Sequence, residues 1–242
     1  YFSEYGKVVF LGVLAVLFCL TLYSLYTFLF PKKLAVTFLD VGQGDSILIS
    51  TPSGKQMLID GGATNVVLEE LNKHISYFDR TLDVVVATHP DSDHVTGLIP
   101  VFKKYEVETI VTSNVKGDTG IFGELEKSIE EEGGEVRVAQ KGDTISFGDG
   151  VELRVLYPTH VVASDTNDGS VSIVVTYGEH SFLLTGDLSQ ELESELIIDT
   201  LPKNITVYKA GHHGSRTSSG EVLLSRIHPE YSVISAGKNN DY

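Results

Sequence analysis

The sequence predicts an α/β domain, with its strands in two groups and helices outside them, preceded by one transmembrane helix. Three observations predict it. From Leu34 onward, short β-branched apolar runs alternate with longer stretches of apolar spacing near 3.6, the patterns of strands and amphipathic helices. Polar, glycine-flanked clusters follow several of these runs, most densely at Thr88-His89-Pro90-Asp91-Ser92-Asp93-His94. From Val8 to Phe30 there is no charged residue, and at ~1.5 Å per residue such a run crosses a ~30 Å hydrocarbon core.

The apolar run is too long for the core of a cleaved signal peptide, and no small-residue cleavage pattern follows it. Tyr23, Tyr26, Lys7, Lys32 and Lys33 suit the headgroup zones, but basic residues lie on both sides, so the positive-inside rule leaves the orientation open. The expected boundaries are an anchor over 1–33 and a single domain over 34–242. The chain starts with Tyr1 rather than Met, which leads us to expect a fragment of a longer protein.

Within the domain, Leu34 to Leu39 reads as a strand, followed by the glycine turn Asp40-Val41-Gly42-Gln43-Gly44-Asp45. That turn lacks the Gly-Lys-Ser of a phosphate cradle and reads as a tight turn. Ser46 to Ser50 and Gln56 to Ile59 form a strand pair around Thr51-Pro52-Ser53-Gly54. Asn65 to Ile75 is helical, Leu82 to Ala87 a buried strand, and Val95 to Tyr105 a helix. Val107 to Thr112 and Glu135 to Val138 are strands flanking an acidic helix, Phe122 to Glu132, which Gly133-Gly134 ends. Gly142 to Leu156 gives two strands about Gly148-Asp149-Gly150; Ser164 to Asp168 is a polar loop. Ser170 to Tyr177 and Phe182 to Thr185 are strands, Ser189 to Ile198 a helix, and Ile205 to Lys209 a strand leading to Ala210-Gly211-His212-His213-Gly214-Ser215. Ser218 to Ile227 is a helix and Tyr231 to Ser235 the last strand.

Composition narrows the chemistry. The one cysteine, Cys19, lies in the membrane run, so there is neither a disulfide framework nor a thiolate metal site. A formal charge of -15 argues against a broad electropositive surface for duplex DNA. Two bound divalent cations would reverse the sign locally, so a nucleic acid substrate stays open.

Imidazole and carboxylate are the groups that divalent metals bind, and a solvated helix cap would need one carboxylate and no histidine. His89 and Asp91 can point the same way from an extended backbone, with Asp93 and His94 at the helix start. Asp187 follows an apolar strand, and the His212-His213 pair follows another. Asp93, His94 and His213 can hold one ion, and His89 and Asp91 a second, with Asp187 bridging. Asp60, ahead of Gly61-Gly62, reads as a carboxylate that orients a metal-bound histidine. Paired metals supply a water nucleophile at neutral pH and clamp phosphoryl oxygens. No convincing Ser-His-Asp arrangement competes with this, because the serines near histidine lie in glycine turns.

His89-Pro-Asp91-Ser-Asp93-His94, with Leu58-Ile-Asp60-Gly-Gly and Leu184-Thr-Gly-Asp187, resembles the metallo-β-lactamase superfamily. Phe38-Leu-Asp-Val-Gly-Gln-Gly-Asp-Ser46, Asn167-Asp-Gly-Ser170, Lys209-Ala-Gly-His-His-Gly-Ser215 and Ser235-Ala-Gly-Lys-Asn-Asn240 are similar to the C-terminal domain of ComEC-type competence proteins. The resemblance covers Leu34 to Tyr242. It implies an αββα sandwich with a dinuclear site, in a bacterial membrane protein of DNA uptake whose hydrolase domain faces the extracellular side. It also implies a nuclease that degrades the non-transported strand, with single-stranded DNA as substrate and uptake-machinery proteins as partners.

Asp91 stands where most of the superfamily has histidine, and its oxygen donor moves the preference from zinc (Zn2+) towards manganese (Mn2+). The superfamily's further histidine on the first metal has no clear counterpart; Asn167 or Asp168 occupies the matching region, and the nearby His160 reads as a surface-loop residue. ComEC-type domains continue past a segment like Gly237 to Tyr242 with Gly-His-Pro, so the expectation is a domain truncated at its C-terminus that lacks this histidine. Lys209 and Ser215 are expected to contact phosphate, although Lys209 can equally neutralise acidic neighbours; His212 is left as an outer or uncertain member. Two other functions fit the residues: a surface phosphoesterase acting on phosphorylcholine or another small phosphoester, and a non-catalytic module of a DNA transporter.

Overall fold

Alternating side chains sort the predicted strands into two sheets, and the computed structural model describes them over residues 3–29, 33–159, 165–197, 201–202, 204–238 and 240. His160, and the ends of the stretches predicted to reach Phe30, Ile198 and Tyr242, lie outside the described residues, as do Ser164 and Asn239. The chain divides into two units, 1–33 and 34–242.

The first unit is one helix, α1 (Glu4–Leu29). It is apolar on every side, and its stretch Glu4–Tyr26 is long and apolar enough to cross a membrane.

In the second unit, six strands form the first sheet in sequence order: β1 (Ala35–Phe38), β2 (Ile47–Ser50), β3 (Gln56–Ile59), β4 (Thr81–Ala87), β5 (Glu106–Thr112) and β6 (Glu135–Val138). β1 to β3 are antiparallel neighbours, and β3 to β6 run parallel. The second sheet holds β7 (Thr144–Ser146), β8 (Val151–Tyr157), β9 (Ser172–Tyr177), β10 (His180–Leu184), β11 (Val207–Lys209) and β12 (Tyr231–Val233), with the last three parallel.

The period of two gives each sheet two faces. Ile47, Ile49, Met57, Ile59, Val84 and Val86 pack against Leu153, Val155, Ile173 and Val175 between the sheets. The intervening Leu48, Leu58 and Val85 point outward, under α2 (Val66–His74), α3 (Ser92–Val95), α4 (Leu98–Phe102) and α5 (Gly120–Glu132). On the other side Val174, Leu183 and Tyr208 pack beneath α6 (Ser194–Ile197) and α7 (Glu221–Ile227). Three apolar layers thus separate four structural layers in the order αββα.

Two helices differ from the expectation. The helix expected over Val95 to Tyr105 is interrupted between α3 and α4, where Gly97 packs on the turn after β3. A Cβ on Gly97 would lie 1.9 Å from the Gly61 carbonyl oxygen, and the Gly97 N–H donates to Gly62 O at 2.9 Å. The helix expected from Ser189 is shortened to α6, because Glu193 turns away to accept hydrogen bonds from the Ser219 and Gly220 N–H groups at 2.6 and 2.7 Å.

Candidate metal centre

The C-terminal ends of parallel strands collect the loops in which open α/β sheets build their sites. Here β3 and β4 of one sheet and β10 and β11 of the other all end at the same place. Asp60 follows β3, His89 follows β4, Asp187 follows β10, and Lys209 ends β11 just before His212 and His213. Asp60, His212 and His213 hold positive φ angles of 56°, 46° and 53°. Such backbone costs ~1–3 kcal/mol per residue and persists only where surrounding contacts enforce it.

The centre converges on one atom, Asp187 Oδ2. It lies 3.3 Å from both His94 Nε2 and His213 Nε2, and 4.0 Å from His89 Nε2 and His212 Nε2. Asp93 Oδ2 is 3.2 Å from His213 Nε2, Asp91 Oδ2 is 3.8 Å from His89 Nε2, and His94 Nε2 faces His213 Nε2 at 3.3 Å. His89, His94 and Asp187 have ligand atoms close enough to share one ion, as do Asp93, His94 and His213.

The outer hydrogen bonds fix which nitrogen of each ring points inward. Asp60 accepts from the Thr88 N–H at 2.8 Å, from the Thr88 hydroxyl at 2.6 Å and from His94 Nδ1 at 2.9 Å. A carboxylate only accepts, so His94 carries its proton on Nδ1 and the Thr88 hydroxyl proton is committed to Asp60. Thr88 Oγ1 must then accept from His89 Nδ1, 3.0 Å away. His213 Nδ1 donates to the Ser235 carbonyl at 3.0 Å. All three rings therefore turn Nε2 towards Asp187.

Burial and charge tune these groups. Burial, reinforced by the neighbouring His94, lowers His89 to about 4, so its Nε2 carries a free lone pair at neutral pH. That atom is buried with no hydrogen-bond partner. Burial opposes a proton on His94, but Asp187 and Asp60 outweigh it and raise His94 well above its ordinary value. Burial likewise opposes charge on His213, and its hydrogen bonds to Asp187 and Asp93 raise it to about 9. Burial pushes Asp93 up, yet the hydrogen bond from His213 and the nearby imidazolium charges take it down to about 2.

These residues fit divalent cations. An orphaned imidazole nitrogen faces two carboxylates, and the buried Asp45, Asp60 and Asp187, with the part-buried Asp91 and Asp93, are balanced in the metal-free protein by the Lys209 ammonium and by protons on His94 and His213 that cations would displace. Buried like charges of this kind call for counter-charge.

Lys209 has no exposed surface. Its Nζ binds the Asp45 carboxylate, donates to Gly186 O at 3.1 Å and lies 3.4 Å from Asp187 Oδ1. This geometry favours neutralisation of acidic neighbours over the expected phosphate contact. Ser215 is also turned inward, its hydroxyl 2.9 Å from that of Thr217 and accepting from the Thr217 N–H at 3.2 Å, which makes it a turn-former. Asp168 accepts from the Ser189 hydroxyl at 2.6 Å, and among the described residues no ion pair joins it to the histidines. Asn167, in a 3-10 turn before β9, keeps its Oδ1 buried without a hydrogen-bond partner. His212 sits at the rim, its Nδ1 3.0 Å from the Thr217 hydroxyl. Sequence reasoning missed Asp45 and Thr88 as members of the centre; the available signals were a carboxylate flanked by Gly44 and Ser46, and a hydroxyl at a strand end beside histidine.

Residues 39–238 match the family described as "Metallo-beta-lactamase superfamily". The chain belongs to the metallo-β-lactamase superfamily. Within this superfamily it is similar to ComE operon protein 3 of Bacillus subtilis (strain 168), with 28% identity over 86% of this chain and 29% of that protein. It is also similar to Recombination protein 2 of Haemophilus influenzae, with 31% identity over 90% of this chain and 26% of that protein. The chain thus spans under a third of the length of these curated relatives. Among solved structures, the metallo-beta-lactamase fold protein YhfI from Bacillus subtilis covers 74% of this chain over 71% of its own, at 15% identity and a TM-score of 0.50, a likeness of fold alone. Superfamily members are generally metal-dependent hydrolases, and the His/Asp cluster here is suited to metal ions.

Proposed function

We propose that the chain is a membrane-tethered, metal-dependent phosphodiesterase acting on DNA, with residues 1–33 as anchor and 34–242 as hydrolase domain. It works in DNA uptake on the extracellular side of a bacterial membrane and degrades the non-transported strand. The observation that carries the reading is the convergence of three imidazole Nε2 atoms on the carboxylate of Asp187, in a chain whose relatives include competence proteins.

In this reading Asp93, His94 and His213 would hold one cation and His89 and Asp91 the other, with Asp187 available to both. The oxygen donor at Asp91 favours a hard ion such as Mn2+ over Zn2+. Bound divalent cations lower the pKa of water towards ~7 and offset charge on phosphoryl oxygens. The protein's own groups do the positioning. Asp60 and Thr88 hold His94 and His89 with Nε2 forward, while Lys209 occupies Asp187 Oδ1 and leaves Oδ2 to face the histidines. His212 stands at the rim, its Nε2 4.0 Å from Asp187 Oδ2.

The test is cleavage of end-labelled single-stranded DNA by the full chain in detergent, with Mn2+, with EDTA, and with Asp187→Ala. Cleavage in Mn2+ alone, lost in both controls, supports the proposal. No DNA cleavage beside hydrolysis of a phosphorylcholine ester would replace it with a small-phosphoester enzyme.

A further inference from the structure

The end of the domain opposite the metal centre carries two large aromatic side chains in water. Tyr77 and Phe78 occupy the middle of a turn closed by the Asp79 N–H donating to Ser76 O at 2.9 Å, and they are 74% and 90% exposed. The turn is held in place. Asp79 accepts from Gln56 Nε2 at 2.7 Å and from the Thr81 N–H at 3.2 Å, tying it to the starts of β3 and β4. The two rings meet edge to face at 5.5 Å, and the Arg80 guanidinium lies 5.0 Å from the Tyr77 ring centroid. Lys73 ends α2 just before the turn, and Lys103 and Lys104 follow α4 at the same end of the sheet. Aromatic rings exposed beside basic side chains have the composition of a membrane-water interface.

Topology supplies the second observation. Ala35 pairs with Ser50, Ser50 with Gln56, and Met57 with Val84. The start of β1, where the chain enters the domain from Lys33, therefore lies at the same end of the sheet as the turn before β4. Three inter-strand spacings, ~14 Å, separate β1 from β4. Chain continuity places this end within a few residues of the apolar helix that is long enough to cross a bilayer.

We propose that the Tyr77-Phe78 turn is a second membrane contact, seated in the headgroup layer of the bilayer that α1 spans. This rests on the reading of α1 as a transmembrane helix.

The sequence contains no tryptophan, so single-tryptophan variants report depth directly. The full chain is reconstituted in phosphatidylcholine/phosphatidylglycerol vesicles with and without brominated acyl chains, as Phe78→Trp, Phe18→Trp and Val222→Trp. Phe18 lies within α1; Val222, 69% exposed, opens α7 at the metal-centre end. The expected result is a blue-shifted emission, quenched by bromolipid, for tryptophan at 18 and 78 and neither effect at 222. Quenching at 18 without quenching at 78 overturns the contact and leaves the spanning helix intact. Quenching at none of the three overturns the spanning helix and the contact with it. Quenching at 78 and 222 alike overturns a contact confined to the Tyr77-Phe78 turn.

Discussion

Thr88→Val isolates the step that fixes the His89 tautomer. Valine matches threonine in shape, so the core beneath β4 stays filled while the hydroxyl disappears. Two buried hydrogen bonds go with it, to Asp60 at 2.6 Å and from His89 Nδ1 at 3.0 Å. Asp60 keeps the Thr88 backbone N–H and His94 as donors, so the larger loss falls on His89, whose Nδ1–H is left buried and unpaired. An unsatisfied buried donor costs ~1–3 kcal/mol, and the metal-free protein should lose that much stability in chemical denaturation. His89 can also recover by moving its proton to Nε2, which removes the lone pair that a cation needs. Loss of such an outer hydrogen bond lowers metal affinity by roughly 10- to 100-fold. Calorimetric titration with Mn2+ measures this, with Thr88→Ser as the partner variant that keeps the hydroxyl and should stay near the parent. Unchanged affinity in Thr88→Val, or an equal loss in Thr88→Ser, would refute the tautomer argument.

Other consequences follow from the same geometry. In the metal-free protein His94 holds its proton well above the ordinary histidine value and His213 up to about 9, so a cation must displace both, and Mn2+ affinity should rise with pH through this range. The His213 proton also stabilises the metal-free fold, fully below the ordinary histidine value of 6.5 and not at all above about 9; denaturation in EDTA across this window should show stability falling as pH rises. Lys209→Met removes the one buried ammonium between Asp45 and Asp187 and should cost about 3–5 kcal/mol in EDTA, with Mn2+ recovering part of the loss in the same melts. Gly44→Ala would put a Cβ 1.8 Å from the Asp93 carbonyl oxygen at a φ of +104°; a loss of about 2 kcal/mol or more, with weaker Mn2+ binding, is expected, and parent-like melting would count against the close approach.

The strands were legible because burial on both faces leaves near-continuous β-branched runs, as in Leu82 to Ala87, and the turns between them carry glycine or proline. The helix breaks were less legible. Nothing local to Val95–Tyr105 announces that Gly97 meets Gly61 from another strand end, since that contact depends on how β3 and α3 pack. The inward-facing His/Asp cluster was readable because two histidines and three aspartates crowd the ends of β4 and β10. Of their supports, Asp60 was readable from its place ahead of Gly61-Gly62, and the others were less so, for a physical reason. Asp45, Thr88 and Lys209 act through hydrogen bonds to residues far away in sequence, and each residue type is common in turns and strands. For Lys209 the sequence leaves phosphate contact and neutralisation of acidic neighbours equally open, and its complete burial favours the second.

The two sheets contribute unequally to the centre, and this couples site to fold. His89, Asp91, Asp93 and His94 come from the first sheet's loops, whereas Asp187, Lys209 and His213 come from the second's. Each cation site proposed above draws on both, so the centre exists only while the apolar layer between the sheets is closed. Lys209 bonded to Asp45, and Asp187 beside His94, are links across that layer at its polar end. Cations binding there add a further cross-link between the sheets and favour the closed sandwich by mass action. A protein built this way would resist unfolding most strongly with cations bound at this cluster.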